Sequence, residues 1–274
     1  MIIQRTDKTY TPKVIFIFFF LIIWPILFNV LNSYEILKGP RPLIRGIENK
    51  IVLYKTRNFN QTETDAFVFR YENIDNGVLE FIKDTTADKY KKITDIFQYE
   101  FKDKILVVIY NNMDLMMNTT MLKKGEPPVG VYYGNSVHIL NPGLWIEETE
   151  DEKLEYIFYN KGPVLHELTH LFTDHIGNGN FSMWFTEGVS LYFEYMIDGY
   201  EWGREVVFTD TNIYTIEELN DNFYGLNQYR AYTQSFRLVK NMVDNHGLDK
   251  LIDIIAFLGK GHNMDEFLYL FVEA

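Results

Sequence analysis

Cysteine is absent from all 274 residues. That excludes disulfides, thiolate metal ligands, a cysteine nucleophile and a lipid-modified N-terminal cysteine together. Positive charge is also scarce: 26 Lys and Arg stand against 38 Asp and Glu, a formal net charge of −12, and no basic run exceeds a pair such as Lys123–Lys124. Nucleic acid is therefore not an expected partner, because neutralising phosphates needs a basic face. There are only six histidines, so any ordered spacing among them carries information. After the first 31 residues neither an internal repeat nor a low-complexity segment is visible.

Apolar side chains are plentiful, at 47% of the chain with 16% aromatic, enough for a packed core. The one long uncharged run is Val14–Leu31, VIFIFFFLIIWPILFNVL, preceded by Arg5, Lys8 and Lys13. As a helix its 18 residues would reach roughly 27 Å, about the thickness of a bilayer core. The adjoining Asn29-Val30-Leu31-Asn32-Ser33 offers no small-x-small cleavage site, which favours an uncleaved anchor over a removed signal. Lys38, Arg41 and Arg45 come after the span and weaken a charge-based orientation. A signal-like N-terminal segment nevertheless normally exports the rest of its chain, so the expectation is a membrane-anchored, extracytoplasmic domain, with secretion after cleavage as the alternative. The implied layout is a tail at 1–13, the apolar segment at 14–31, a stalk at 32–60 built around Gly39-Pro40-Arg41-Pro42, and a single domain over 61–274.

Within that domain the pattern predicts an α+β fold. Phe67–Tyr71 reads as a strand, and Val78 to Phe97 has helical periodicity. Lys104–Tyr110 is a continuous apolar run suited to a central strand. Val129–Tyr133 and Val137–Leu140 flank Gly134-Asn135-Ser136 as a hairpin, and His138 within it reads as structural. Glu147–Glu155 is an acidic loop or helix start, and the C-terminal part is mainly helical.

The chemistry concentrates in Pro163–His175, PVLHELTHLFTDH. His166 and His170 lie four residues apart and share one helical face, so both imidazoles can reach a single cation. Glu167 between them is placed to take a proton from a water beside that cation. Two histidines in an ordinary core helix are the bland alternative. A second segment, Trp184–Met196, WFTEGVSLYFEYM, comes after the Gly177-Asn178-Gly179-Asn180 turn. Glu187, seventeen residues after His170, can return on a second helix as a third ligand, which completes the set a catalytic zinc requires. Asp174 and Glu194 lie on the ligand-bearing faces by spacing and are candidates to orient the imidazoles.

These residues resemble the gluzincin zinc metallopeptidases. HELTHLFTD is similar to the thermolysin-type metal helix, and WFTEGVS to the W-x-x-E-G element of zinc aminopeptidases and small thermolysin-like domains. The resemblance implies one catalytic Zn²⁺ on His166, His170 and Glu187, Glu167 as general base, a small mixed sheet whose edge hairpin packs beside the HExxH helix, and a peptide or protein substrate. It also implies that Tyr232, in Tyr232-Thr233-Gln234-Ser235, stabilises the oxyanion. Two departures matter. Leu191 stands where thermolysin-type sequences carry an aspartate, and GVYYGNSVHIL lacks the Gly-x-Met-Glu-Asn motif that grips a free substrate amine. An amine-gripping aminopeptidase is therefore not expected. A catalytically silent binding or sensor module on the same fold, or a zinc hydrolase of a non-peptide amide, are the alternatives.

Overall fold

The computed structural model describes residues 41–122, 128–148, 150–209 and 212–272. The apolar segment at 14–31 lies outside them, and among the described residues no helix is long and apolar enough to cross a membrane.

Five strands form one mixed sheet: β1 (Asn60–Glu63), β2 (Phe67–Tyr71), β3 (Ile105–Tyr110), β4 (Gly130–Tyr133) and β5 (Ser136–Leu140), in the spatial order β1-β2-β3-β5-β4. Parallel pairing of β2 with β3 needs a crossover, and helix α1 (Arg41–Lys55) precedes the sheet while α2 (Asn76–Phe97) supplies that crossover. The Asp75 side chain starts α2 by accepting from the Gly77 amide at 2.7 Å, which satisfies an N–H that the first turn leaves unpaired. β3 also runs parallel to β5, while β1 and β4 pair antiparallel with β2 and β5.

All six residues of β3 are buried because both faces of the sheet are covered. Ile105, Val107 and Ile109 point into the main core with Phe69, Val137 and Ile139. Leu106, Val108 and Tyr110 point the other way, into a smaller core with Val52 of α1 and Met116 of α3 (Met113–Thr119). The continuous apolar run of the sequence is thus two alternating faces, each with its own cover.

The helical part comprises α4 (Asp151–Lys161), α5 (Val164–Gly177), α6 (Met183–Asp198), α7 (Ile216–Asn222), α8 (Gln228–His246), α9 (Leu248–Gly259) and the short α10 (Tyr269–Val272). The acidic segment expected as a loop or helix start runs into α4 from Asp151. Of the stalk expected over 32–60, residues 32–40 lie outside the described residues, whereas Arg41–Lys55 form α1, which is folded against the domain. Arg41 Nε and Arg45 Nη1 reach the Asp174 carboxylate at 3.0 and 3.1 Å, and Asn49 donates to the Gly134 carbonyl at 2.9 Å. Gly39-Pro40-Arg41-Pro42 resembles linker, but Pro42 fits a helix's first turn, where an amide donor is not needed.

Candidate metal centre

The HELTH segment lies on α5, which starts after Pro163 and stops at Asn178 in the left-handed conformation, φ 52°. One side of the helix, with Leu165, Leu168 and Phe172, is buried in the main core. The next helix, α6, opens with Trp184, whose indole N–H donates to Asn220 Oδ1 at 2.8 Å and ties the helix start to α7. Gly188 lets α8 approach α6: a Cβ there would sit 2.4 Å from the Ser235 carbonyl oxygen. The small pair Gly188 and Ser235 is therefore what allows Tyr232, one turn earlier on α8, to reach the centre.

His166, His170 and Glu187 converge, each offering one ligand atom, all within 4.8 Å of one another. Glu187 Oε2 is 3.2 Å from His166 Nε2 and 3.4 Å from His170 Nε2. In a tetrahedron with metal–ligand bonds of about 2.05 Å, neighbouring donors lie about 3.3 Å apart. The Glu187 oxygen stands at that spacing from both imidazole nitrogens, and the three donors together could hold one metal ion. The outer nitrogens are also engaged: His170 Nδ1 pairs with Thr186 Oγ1 at 2.8 Å, and His166 Nδ1 lies 3.5 Å from Glu194 Oε1. Such partners set the tautomer that presents Nε2 to a metal.

The charge balance points the same way. Glu167 and Glu187 are 7% and 6% exposed. Burial opposes ionisation of Glu187, yet His170 and His166 hold its carboxyl far below the usual range. Burial likewise opposes protonation of His166, but Glu194 and Glu187 hold its pKa well above normal. Buried carboxylates thus demand positive charge between them, which two imidazolium protons or one divalent cation can provide.

Glu167 faces the same space. Its Oε2 accepts the Tyr132 amide of β4 at 2.6 Å, and its carboxyl is pushed up by burial against the pull of His166 and His170. β4 is one of the two edge strands, so the hairpin expected beside the HExxH helix is there and its outer side meets Glu167. Packing is tight, since a Cβ on Gly130 would lie 2.3 Å from Pro163 Cβ and 3.2 Å from Glu167 Cγ.

Tyr232 packs its ring against Phe223 and Trp202 at centroid distances of 5.3 and 6.1 Å. Burial, and then the charge of Glu187, drive its phenol far above the ordinary value, so it stays a neutral donor. The structure adds Tyr224, 67% exposed at the rim; desolvation of its hydroxyl, with Glu187 and Glu167 as the next contributions, pushes its pKa up to about 12. The sequence pattern singles out neither Tyr224 nor Thr186. Thr186 has a usable signal, since it directly precedes the candidate ligand Glu187, whereas Tyr224 has none among 19 tyrosines.

Of the two candidates to orient an imidazole, Glu194 is beside His166, but Asp174 is not at the centre. Asp174 is held instead by Arg41, Arg45 and the Tyr132 hydroxyl, the last at 2.6 Å. His138 is structural, as expected: it is fully buried between Tyr110 Oη at 2.8 Å and Ser136 Oγ at 2.9 Å, and burial lowers its pKa to about 4.

Two ligand-bearing helices, set against the edge strand of a small mixed sheet, define a zincin-like metallopeptidase fold. The family comparison agrees: the model of the Peptidase MA superfamily matches residues 85–271. This chain belongs to that superfamily, with α1, β1 and β2 lying ahead of the matched part. A search of the curated proteins finds no match.

Proposed function

We propose that the chain is a zinc-dependent peptidase of gluzincin type that cuts within a peptide rather than at a free amine. The observation that carries this reading is the convergence of His166, His170 and Glu187, with donor atoms within 4.8 Å of one another and Glu187 Oε2 3.2 and 3.4 Å from the two imidazoles, beside Glu167. When bound, the cation supplies a Lewis acid for the scissile carbonyl and lowers the pKa of a water. Glu167 takes that water's proton and passes it to the leaving amine; its Oε2 is anchored on the Tyr132 amide, leaving Oε1 for the transfer. The Tyr232 phenol, with Tyr224 at the rim, donates to the oxygen on which negative charge develops.

The substrate backbone extends β4 as an added strand, and that edge sets its direction through the site. No carboxylate stands on GVYYGNSVHIL to bind an amino terminus, which favours internal cleavage. In this reading the segment 14–31 anchors the chain and the domain works outside the cytoplasm.

Glu167→Gln tests the proposal directly. Peptide hydrolysis should vanish while bound zinc stays at one per chain, whereas His166→Ala should lose the metal. Hydrolysis by Glu167→Gln at the wild-type rate, or activity indifferent to chelation, would overturn it.

A further inference from the structure

Helix α1 presents two different faces. Inward, Arg41 and Arg45 grip Asp174, Asn49 holds the hairpin turn, and Val52 is fully buried. Outward stand Leu43 at 66%, Ile47 at 61%, Leu53 at 39% and Tyr54 at 66% exposure, with Lys50 and Arg57 exposed among them. Leu43, Ile47, Lys50 and Tyr54 recur at i, i+4, i+7 and i+11, a single stripe along the helix. None of the exposed residues of α1 is acidic, in a chain whose net charge is −12. The guanidinium of Arg57 lies 4.2 Å over the Tyr54 ring, so cation and aromatic form one amphipathic edge.

Such a concentration of exposed apolar side chains needs a partner. The neighbouring chain points to one. The uncharged run ends at Leu31, nine residues before Pro40 and the start of α1, and a connection of that length reaches at most about 35 Å. If 14–31 is held in a bilayer, the start of α1 stays within about 35 Å of its surface. A stripe of apolar residues flanked by Lys and Arg is the composition of helices that lie in the membrane interface.

We propose that α1 lies flat on the lipid bilayer, with Leu43, Ile47, Leu53 and Tyr54 inserted at the headgroup boundary and Lys50 and Arg57 directed to lipid phosphates. Because the inner face of the same helix grips α5 and the β4–β5 turn, the bilayer then holds the metal centre in one orientation. The proposal rests on 14–31 being a membrane anchor and is independent of whether the centre hydrolyses peptides.

The absence of cysteine makes the test clean. Ile47→Cys, Tyr54→Cys and, as reference, Glu217→Cys each place one fluorescent label on the full chain, reconstituted in phosphatidylcholine–phosphatidylglycerol vesicles. Labels at 47 and 54 should be quenched by lipids carrying a quencher near the headgroup and shielded from aqueous iodide, while the label at 217 shows the reverse. Adding Leu43→Glu and Ile47→Glu to Tyr54→Cys should return that label to iodide. Iodide quenching at 47 and 54 equal to that at 217 would refute the proposal. So would labels shielded from both quenchers, which means that another protein surface covers the helix, or a chain that does not float with the vesicles. None of these readouts involves hydrolysis, so the peptidase reading stands or falls separately.

Discussion

The grip of α1 on α5 is measurable as a coupling energy. Arg45 Nη1 donates to Asp174 Oδ2 at 3.1 Å and to the Asp174 carbonyl at 3.2 Å, and Asp174 is only 4% exposed. A hydrogen bond to a charged partner contributes about 1.5–3 kcal/mol, and stripping a partner from a buried pair costs about 3–5 kcal/mol. After Arg45→Ala the carboxylate still has Arg41 and the Tyr132 hydroxyl, so a loss of about 2–3 kcal/mol is expected. For a domain of this size that lowers Tm by roughly 4–12 °C. In an Asp174→Asn background the same substitution should cost less than about 1 kcal/mol, leaving a coupling of about 1–2 kcal/mol. Urea unfolding of wild type, both single variants and the double variant provides the cycle. A coupling below about 0.5 kcal/mol would mean that α1 is held by packing rather than by charge. A pH series adds a sign. Burial opposes the ionised Asp174, but Arg41, the Tyr132 hydroxyl and Arg45 hold its pKa below the ordinary value. Its contribution is therefore complete above the unfolded pKa, about 3.9, and is lost as pH falls through the lower folded value. Wild type and Arg45→Ala should converge in stability only in that acid range.

Tyr232→Phe should lower kcat by roughly 10²–10³-fold with KM nearly unchanged, as expected for a donor that acts on the transition state; a change confined to KM would make Tyr232 a packing residue. Glu194→Gln should weaken zinc affinity by roughly 10–100-fold in a competitive chelator titration, since the carboxylate beside His166 Nδ1 loses its charge. An unchanged affinity would remove Glu194 from the centre. Gly188→Ala should cost about 3 kcal/mol, because the new methyl meets the Ser235 carbonyl at 2.4 Å and a backbone oxygen cannot move aside without shifting α8. Thermal unfolding would show it, and a variant as stable as wild type would mean that the helices are free to separate.

Much of this protein is written in local pattern. The spacing of His166 and His170 places both on one face of any helix they share, whatever surrounds it. The turn at Gly177–Asn180 and the segment Trp184–Met196 leave room for a second helix that carries Glu187 back. The run Ile105–Tyr110 reads as a strand covered on both sides, and Gly134-Asn135 as a turn, and both are found. The two residues expected to orient the imidazoles show where such reasoning stops. Asp174 and Glu194 both share a helical face with a ligand by spacing, yet Glu194 reaches His166 and Asp174 is taken by Arg41 and Arg45, residues 133 and 129 positions away. Periodicity decides which residues share a face of one element. It carries nothing about the rotation and separation of elements that meet only after folding, because those depend on how closely backbones can approach, as at Gly188 and Ser235, and on which distant charges compete for the same carboxylate. The docking of α1, the place of Tyr224 at the rim and the Tyr132 amide on Glu167 were for that reason decided by the tertiary structure.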